Sequence, residues 1–178
     1  MNFYEKPLQT LSDQEWEQIC MKCGKCCMCK YREGNVIHFS NYICQHFDLK
    51  KGLCSCYDSR LATGECVKVD MSLLENNLDL LPPSCAYRRL YEGRGLPAYH
   101  PLLTGCSNSV VKAKQTVLSL PVVPENAREK AFDNLLKQAQ QNRWDVSEIS
   151  QKAIEINNQY SLQWLENYPL PSQNQSPL

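Results

Sequence analysis

The stretch Cys20–Cys29, CMKCGKCCMC, places five cysteines in ten positions. Six more follow at 44, 54, 56, 66, 85 and 106, and none comes later. A fold built on this chain has to dispose of eleven thiols. Disulfides need an oxidising compartment, so the route out of the cell matters first. The start, MNFYEKPLQTLSDQEWEQ, shows no basic segment followed by an apolar one, and no secretion signal is read there. The expected location is therefore the cytoplasm. In a reducing compartment, clustered cysteines serve as metal ligands or redox groups rather than as disulfides.

At 178 residues the chain is long enough to bury a real core, so it needs no staples merely to fold. Lysine plus arginine equals aspartate plus glutamate, at 19 each. With no basic excess, nucleic acid and anionic membranes are not expected partners. No apolar run is long enough to suggest a membrane span.

The cysteine distribution divides the chain. Residues 1–106 form a cysteine-rich region and 107–168 a helical C-terminal region expected to pack on it. Residues 169–178, polar and proline-rich, are expected to be a disordered tail. LSDQEW has Ser12 and Glu15 at capping-box spacing, with Leu11 and Trp16 as a hydrophobic staple, and predicts a helix from Asp13 to Cys20. NVIHF and CVKV read as short strands. Ser72 and Glu75 suggest a second capping box, for a helix stopped by Pro82. SCAYRRLYEG reads as a helix capped by Ser84 and closed by Gly93. VVKAKQTVLSLPVV is extended in character. Two helices should follow. The first places Ala127, Ala131, Leu135 and Ala139 on one face. The second opens on an Asp145–Glu148 box with a Trp144–Ile149 staple, and carries Ile149, Ala153, Ile156, Tyr160 and Trp164 at helical spacing.

Thiolate suits zinc, Cu(I) and iron–sulfur clusters. In Cys-x-x-Cys-x-x-Cys-Cys, each two-residue interval lets a tight turn aim two sulfurs at one centre. Three cysteines at that spacing resemble an iron–sulfur loop that takes its fourth ligand from elsewhere. Gly24, directly after the second cysteine, would relieve crowding in a zinc knuckle equally well. Cys26 and Cys27 are neighbours, whose side chains usually point apart, so Cys27 is expected to join a second centre, bridge, or face the core. Cys44, Cys54, Cys56, Cys66 and Cys85 supply enough distant thiols to complete one four-thiolate site and begin another. His38, His46 and His100 are the candidates for the histidine partner that catalytic cysteine chemistry would need, and His46, two residues after Cys44, is the first candidate for a spare ligand. No radical-SAM spacing, dinucleotide fingerprint or P-loop is found.

CMKCGKCC with its downstream cysteines resembles the CxxCxxCC (YkgJ-like) family, described as zinc- or iron-chelating proteins. LPPSCAYRRLYEGRGLPAYHPLLTG, residues 81–105, resembles the YcgN-type branch of that family. The resemblance spans roughly residues 11–106. It implies Cys20, Cys23, Cys26, Cys27, Cys44, Cys54, Cys56, Cys66 and Cys85 as family cysteines and metal ligands, with Cys29 and Cys106 as additions of this chain. The interval from Cys56 to Cys66 is shorter than the family pattern. A related module in flagellin lysine methylases is linked to an iron–sulfur centre, but no SAM-binding signature accompanies it here.

The expected fold is an α-rich, irregular α+β arrangement of short helices and loops organised around a cysteine metal centre, with C-terminal helices. The expected function is metal binding, with an iron–sulfur cluster narrowly ahead of zinc and a redox or cluster-handling role. The alternatives are a structural-zinc module whose helices bind a protein partner, and a metal-dependent enzyme with Arg88, Arg89, Tyr99 and His100 lining a pocket.

Overall fold

The structure, a computed structural model, describes residues 2–64, 66–163 and 165. After two single-turn 3-10 segments, helix α1 spans Asp13–Ile19. Its capping box forms: Ser12 Oγ accepts from the Glu15 N–H at 3.3 Å, and the Glu15 carboxylate accepts from the Ser12 N–H at 2.9 Å. Leu11 and Trp16 both pack on an apolar cluster of Leu8, Ile19, Leu73, Leu74, Leu81, Ala86 and Tyr87. The Trp16 and Tyr87 rings lie 5.0 Å apart, and the Tyr87 hydroxyl donates to the Trp16 carbonyl at 2.9 Å.

Strands β1 (Met28–Glu33) and β2 (Val36–Ile43) form an antiparallel hairpin. Gly34, at φ +57°, begins its two-residue turn, a backbone conformation that costs glycine little. NVIHF is thus a strand, as expected, and MCKYRE is its partner. Two short strands, β3 (Phe47–Asp48) and β4 (Leu53–Cys54), make a second hairpin. CVKV, by contrast, is not a strand. A 3-10 segment, Tyr57–Thr63, precedes it.

Helix α2 is Met71–Asn76, and its cap is Asp70 rather than Ser72. Asp70 Oδ1 accepts from the Leu73 N–H at 3.1 Å, which starts the helix before Ser72 can serve. It ends at Asn76, short of Pro82. Helix α3, Ala86–Tyr91, has Cys85 rather than Ser84 at its N-cap position, and Gly93 follows its end at φ +72°. Two one-turn helices follow, α4 (Pro101–Thr104) and α5 (Ser109–Lys112). The expected extended segment is therefore helical at its start. It then makes a 3-10 turn at Val117–Ser119 and is a strand only at β5, Val123–Pro124, which pairs in parallel with Tyr42 and Ile43 of β2. Burial of Val110 and Val117 explains the valine content that suggested a strand.

Helices α6 (Ala127–Asn142) and α7 (Val146–Gln159) pack side by side. α6 buries Leu135 and Ala139, and the Asp145–Glu148 box opens α7. The α7 stripe of Ile149, Ala153 and Ile156 is half-buried. The helix stops at Gln159, earlier than the periodicity suggests, because β2 captures the chain beyond it. Asn41 N–H donates to the Gln163 carbonyl at 2.9 Å, and the Gln163 N–H returns a bond to Asn41 Oδ1 at 2.8 Å. Trp164 and the expected 169–178 tail lie outside the described residues.

Three apolar clusters result, and the cysteine loop threads all of them. Ile19 belongs to the first. Met28 sits in the second, with Phe39, Ile43, Phe47 and Val117. Met21 and Cys23 join Val110 in the third. No helix among the described residues is long and apolar enough to cross a membrane.

Candidate metal centre

All eleven cysteines carry free thiols. Cys20 caps the C-terminus of α1 and is half-buried beside the first apolar cluster. Lys22 and Gly24 then turn the chain through positive φ, 53° and 74°. Gly24 has a packing reason beyond the turn. A Cβ there would come within 2.6 Å of both Phe47 Cζ and Val117 Cγ2. The glycine read as relief around a metal is thus the point where the second cluster closes on the loop.

Cys20, Cys23, Cys26 and Cys85 sense one another electrostatically. Burial first, then the charge of Cys26, pushes the Cys20 thiol up to about 11, against the pull of the Lys22 amide. The same two causes, joined by Cys85 and Cys20, raise Cys23 well above the ordinary thiol range. Burial pushes Cys85 up to about 12, with Cys26 and Cys20 adding to it. Each thiol in such a group resists ionising beside the others until a cation is shared among them.

Cys26 is the exception. The neighbouring Cys27 thiol bonds to it and holds it below the ordinary range, and Lys30 and Arg60 add their charge. Cys27 is correspondingly driven up. The adjacent side chains therefore meet rather than point apart, because Lys25–Cys27 is a 3-10 turn instead of an extended segment.

A second group gathers at the β3–β4 hairpin. Cys44 N–H donates to the Cys27 carbonyl at 2.9 Å. Cys54 and Cys56 bring their sulfurs within 3.8 Å of each other. Burial first, then Cys54, Cys44 and Cys66, raises the Cys56 thiol. Cys66 is exposed; its thiol is raised by burial, lowered by Arg60, and raised by Cys26 and Cys54. Cys29 lies apart and donates to Glu125 Oε2 at 3.3 Å. Cys106 accepts from Lys112 Nζ at 3.7 Å. Among the described residues no three His, Cys, Asp or Glu side chains converge on one point as ligands do. The donor set is chemically that of a soft metal.

Two basic residues missed by the sequence reading stand against the thiols. Lys25 is 2 % exposed, and its ammonium donates to Gln115 Oε1 at 3.2 Å and to Ser84 Oγ at 3.4 Å. Ser84, expected to cap α3, is instead tied to the loop between Cys23 and Cys26. Lys30 Nζ donates to the Cys26 and Met28 carbonyls at 2.6 and 2.9 Å. Nothing in the spacing of the lysines distinguishes them from surface residues.

The three histidines separate. His38 lies 3.4 Å from Glu33 on the β1–β2 hairpin. His46 offers its backbone carbonyl to Ser55 N–H and Oγ, both at 2.8 Å. His100 is fully buried. Of the residues expected to line a pocket, Arg88 donates to the Leu81 carbonyl at 2.7 Å, Arg89 donates to the Gly95 and Arg94 carbonyls at 3.0 Å, and His100 is buried. A cavity of about 510 Å³ opens elsewhere, lined by Lys6, Leu8, Leu90, Tyr91 and Leu96 among others, with no cysteine among its lining residues.

No family model and no solved structure matches the chain. Sequence relatives do. A UPF0260 protein of Caulobacter sp. is 37 % identical over 157 residues, which cover 82 % of this chain and 96 % of the relative. A UPF0260 protein of Shewanella pealeana is 42 % identical over 116 residues, 64 % of this chain and 79 % of the relative. UPF0260 protein YcgN of Escherichia coli is 42 % identical over 103 residues, 56 % and 67 % respectively.

Proposed function

The chain belongs to the UPF0260 family, and from that premise and the thiol geometry we propose that it is a metal-binding protein whose centre is held by Cys20, Cys23, Cys26 and Cys85. One observation carries the reading. Cys85, distant in sequence, stands within the field of Cys20, Cys23 and Cys26, so two segments, the cysteine loop and the start of α3, bring four thiols into one neighbourhood. Lys25, Lys30 and Arg60 supply positive charge to the thiols, which favours an anionic four-thiolate centre. Three ligands from one Cys-x-x-Cys-x-x-Cys loop and a fourth from afar fit an iron–sulfur cluster better than zinc, which more often takes ligands in pairs. When bound, such a cluster supplies one-electron chemistry. The cytoplasm suits reduced thiols, and a redox or cluster-handling role supplies the protein partner. Where this chain's residues act is in binding: Cys26 is the thiol readiest to ionise, and Lys25 braces the loop.

The test is oxygen-free purification with iron, sulfide and zinc counted per chain, alongside the visible spectrum. A brown protein that loses iron in the C23S and C26S variants, and keeps it in C29S and C106S, is the expected result. Zinc without iron or sulfide in the oxygen-free protein overturns the cluster assignment. Full metal retained in both C23S and C26S overturns the ligand assignment.

A further inference from the structure

We infer that Cys54 and Cys56 form a redox couple, a thiol pair that closes to a disulfide by exchange with a low-molecular-weight disulfide and reopens with a dithiol. Both residues lie outside the four-thiol centre proposed above, and loss of that centre would leave the couple intact.

The hairpin presets the pair. Cys54 is held in β4 by its pairing with Phe47. Ser55, between the two cysteines, is pinned by its N–H and its Oγ, which both donate to the His46 carbonyl at 2.8 Å. The Cys56 carbonyl accepts from the Ser59 N–H at 3.1 Å, where the Tyr57–Thr63 segment starts. Along this stretch Leu53, Ser55 and Tyr57 are exposed, while Cys54 and Cys56 are half-buried. Alternation therefore puts both thiols on one face, and their sulfurs stand 3.8 Å apart. A disulfide needs them at about 2.05 Å. The backbone on either side is already tied, so the remaining approach falls to the two side chains.

The spacing selects a bond that cycles. A disulfide closed over a single intervening residue has little room for its preferred geometry, and strained or exposed disulfides are the easily reduced ones. Such a bond serves poorly as a staple, and the fold needs none, since three apolar clusters hold it. Half-burial leaves the two sulfurs open to a small oxidant.

The exchange balances in two steps. One cysteine, as thiolate, attacks a sulfur of the small disulfide; that S–S bond breaks and one small thiol leaves. The other cysteine, as thiolate, attacks the cysteine sulfur of the mixed disulfide, and the second small thiol leaves. The protein has given up two electrons and two protons, and the small disulfide has gained them as two thiols. A dithiol drives the same steps in reverse.

The experiment equilibrates the full chain, purified without oxygen, with glutathione at rising ratios of disulfide to thiol. Acid stops the exchange, and free thiols are alkylated in denaturant and mapped by peptide mass spectrometry. Cys54 and Cys56 should lose alkylation in step, in a peptide lighter by two hydrogens and free of glutathione, and dithiothreitol should restore both. In C54S the remaining Cys56 should stay a thiol or carry one glutathione. Cys29 and Cys106, which meet a carboxylate and an ammonium rather than a thiol, should show at most glutathione adducts. Cys54 and Cys56 alkylated at every ratio overturns the couple, whether a metal holds them or they are inert. A disulfide from either one to Cys44 or Cys66 overturns the pairing. Glutathione attached to both sulfurs of one chain overturns it as well. The deciding measurement is made on wild type, so no variant has to fold.

Discussion

His100 Nε2 donates to the carbonyl of Ile19 at 2.9 Å, joining the 97–101 loop to the residue that precedes the first cysteine. The Leu102 N–H donates to Nδ1 of the same ring at 3.1 Å, so Nδ1 bears no proton and Nε2 bears one. The imidazole is neutral, fully buried and bonded at both nitrogens. It is a positioning residue for the loop rather than a ligand.

Replacing it with an apolar ring of similar size tests that role. H100F leaves the Ile19 carbonyl and the Leu102 N–H without their partner, at a cost on the order of 1–3 kcal/mol. The expected result is a lower Tm and, because Cys20 follows Ile19, faster release of bound metal to a chelator. An unchanged Tm with unchanged release would show that His100 positions nothing.

The same ring predicts a pH dependence. Burial holds the His100 pKa below its ordinary 6.5, and the Ile19 bond opposes this only in part. Between that lowered value and 6.5 the unfolded chain binds the proton and the folded chain does not. The stabilisation is therefore complete above about 6.5 and is lost as the pH falls through the folded value. Urea midpoints of wild type and H100F, compared from pH 8 to pH 5, should converge as the pH falls. A gap that stays constant would remove His100 as the source.

Gly24 allows no side chain. G24A combines a left-handed backbone with a Cβ at 2.6 Å from two packed side chains, Phe47 and Val117. The expected loss is on the order of 2–4 kcal/mol, measured as a shift of the denaturant midpoint. G34A, where nothing lies within 4 Å, should cost only backbone strain and so serves as the control.

Lys25 gives a fourth prediction. K25M keeps the length of the side chain but withdraws the donor shared by Ser84 and Gln115. Stability should fall by about 1–3 kcal/mol. Metal should also pass to a chelator faster than in wild type, since the loop loses its tie to the segment bearing Cys85. A variant with wild-type release kinetics would confine Lys25 to folding.

Where local rules act alone, the sequence was legible. The Ser12–Glu15 and Asp145–Glu148 boxes are decided within four residues, and both formed as read. The α6 face and the β2 strand followed from periodicity. The reading failed where a tertiary partner decides the outcome. Ser84 left its capping position because Lys25 reaches it across the fold. Asp70 outran Ser72 because a carboxylate two residues earlier caps as well. MCKYRE became a strand although the sequence reading assigned it no element, and the Gly34–Asn35 turn was the signal that it pairs with VIHFSNYI. For the site, the residue types could be read, but the meeting of Cys54 and Cys56 beside the β3–β4 hairpin depends on a ladder that spans only two pairs and leaves no periodic trace.

Short cysteine knuckles in other settings can be lifted out as peptides and still fold around a metal. This one is not portable. Ile19, Met21 and Met28 each owe their burial to a different cluster, so a synthetic peptide of residues 19–29 would carry the thiols without the three surfaces that hold them in place. The loop is a mortise shared by three joints, and any engineered transplant of the centre has to carry most of the chain with it.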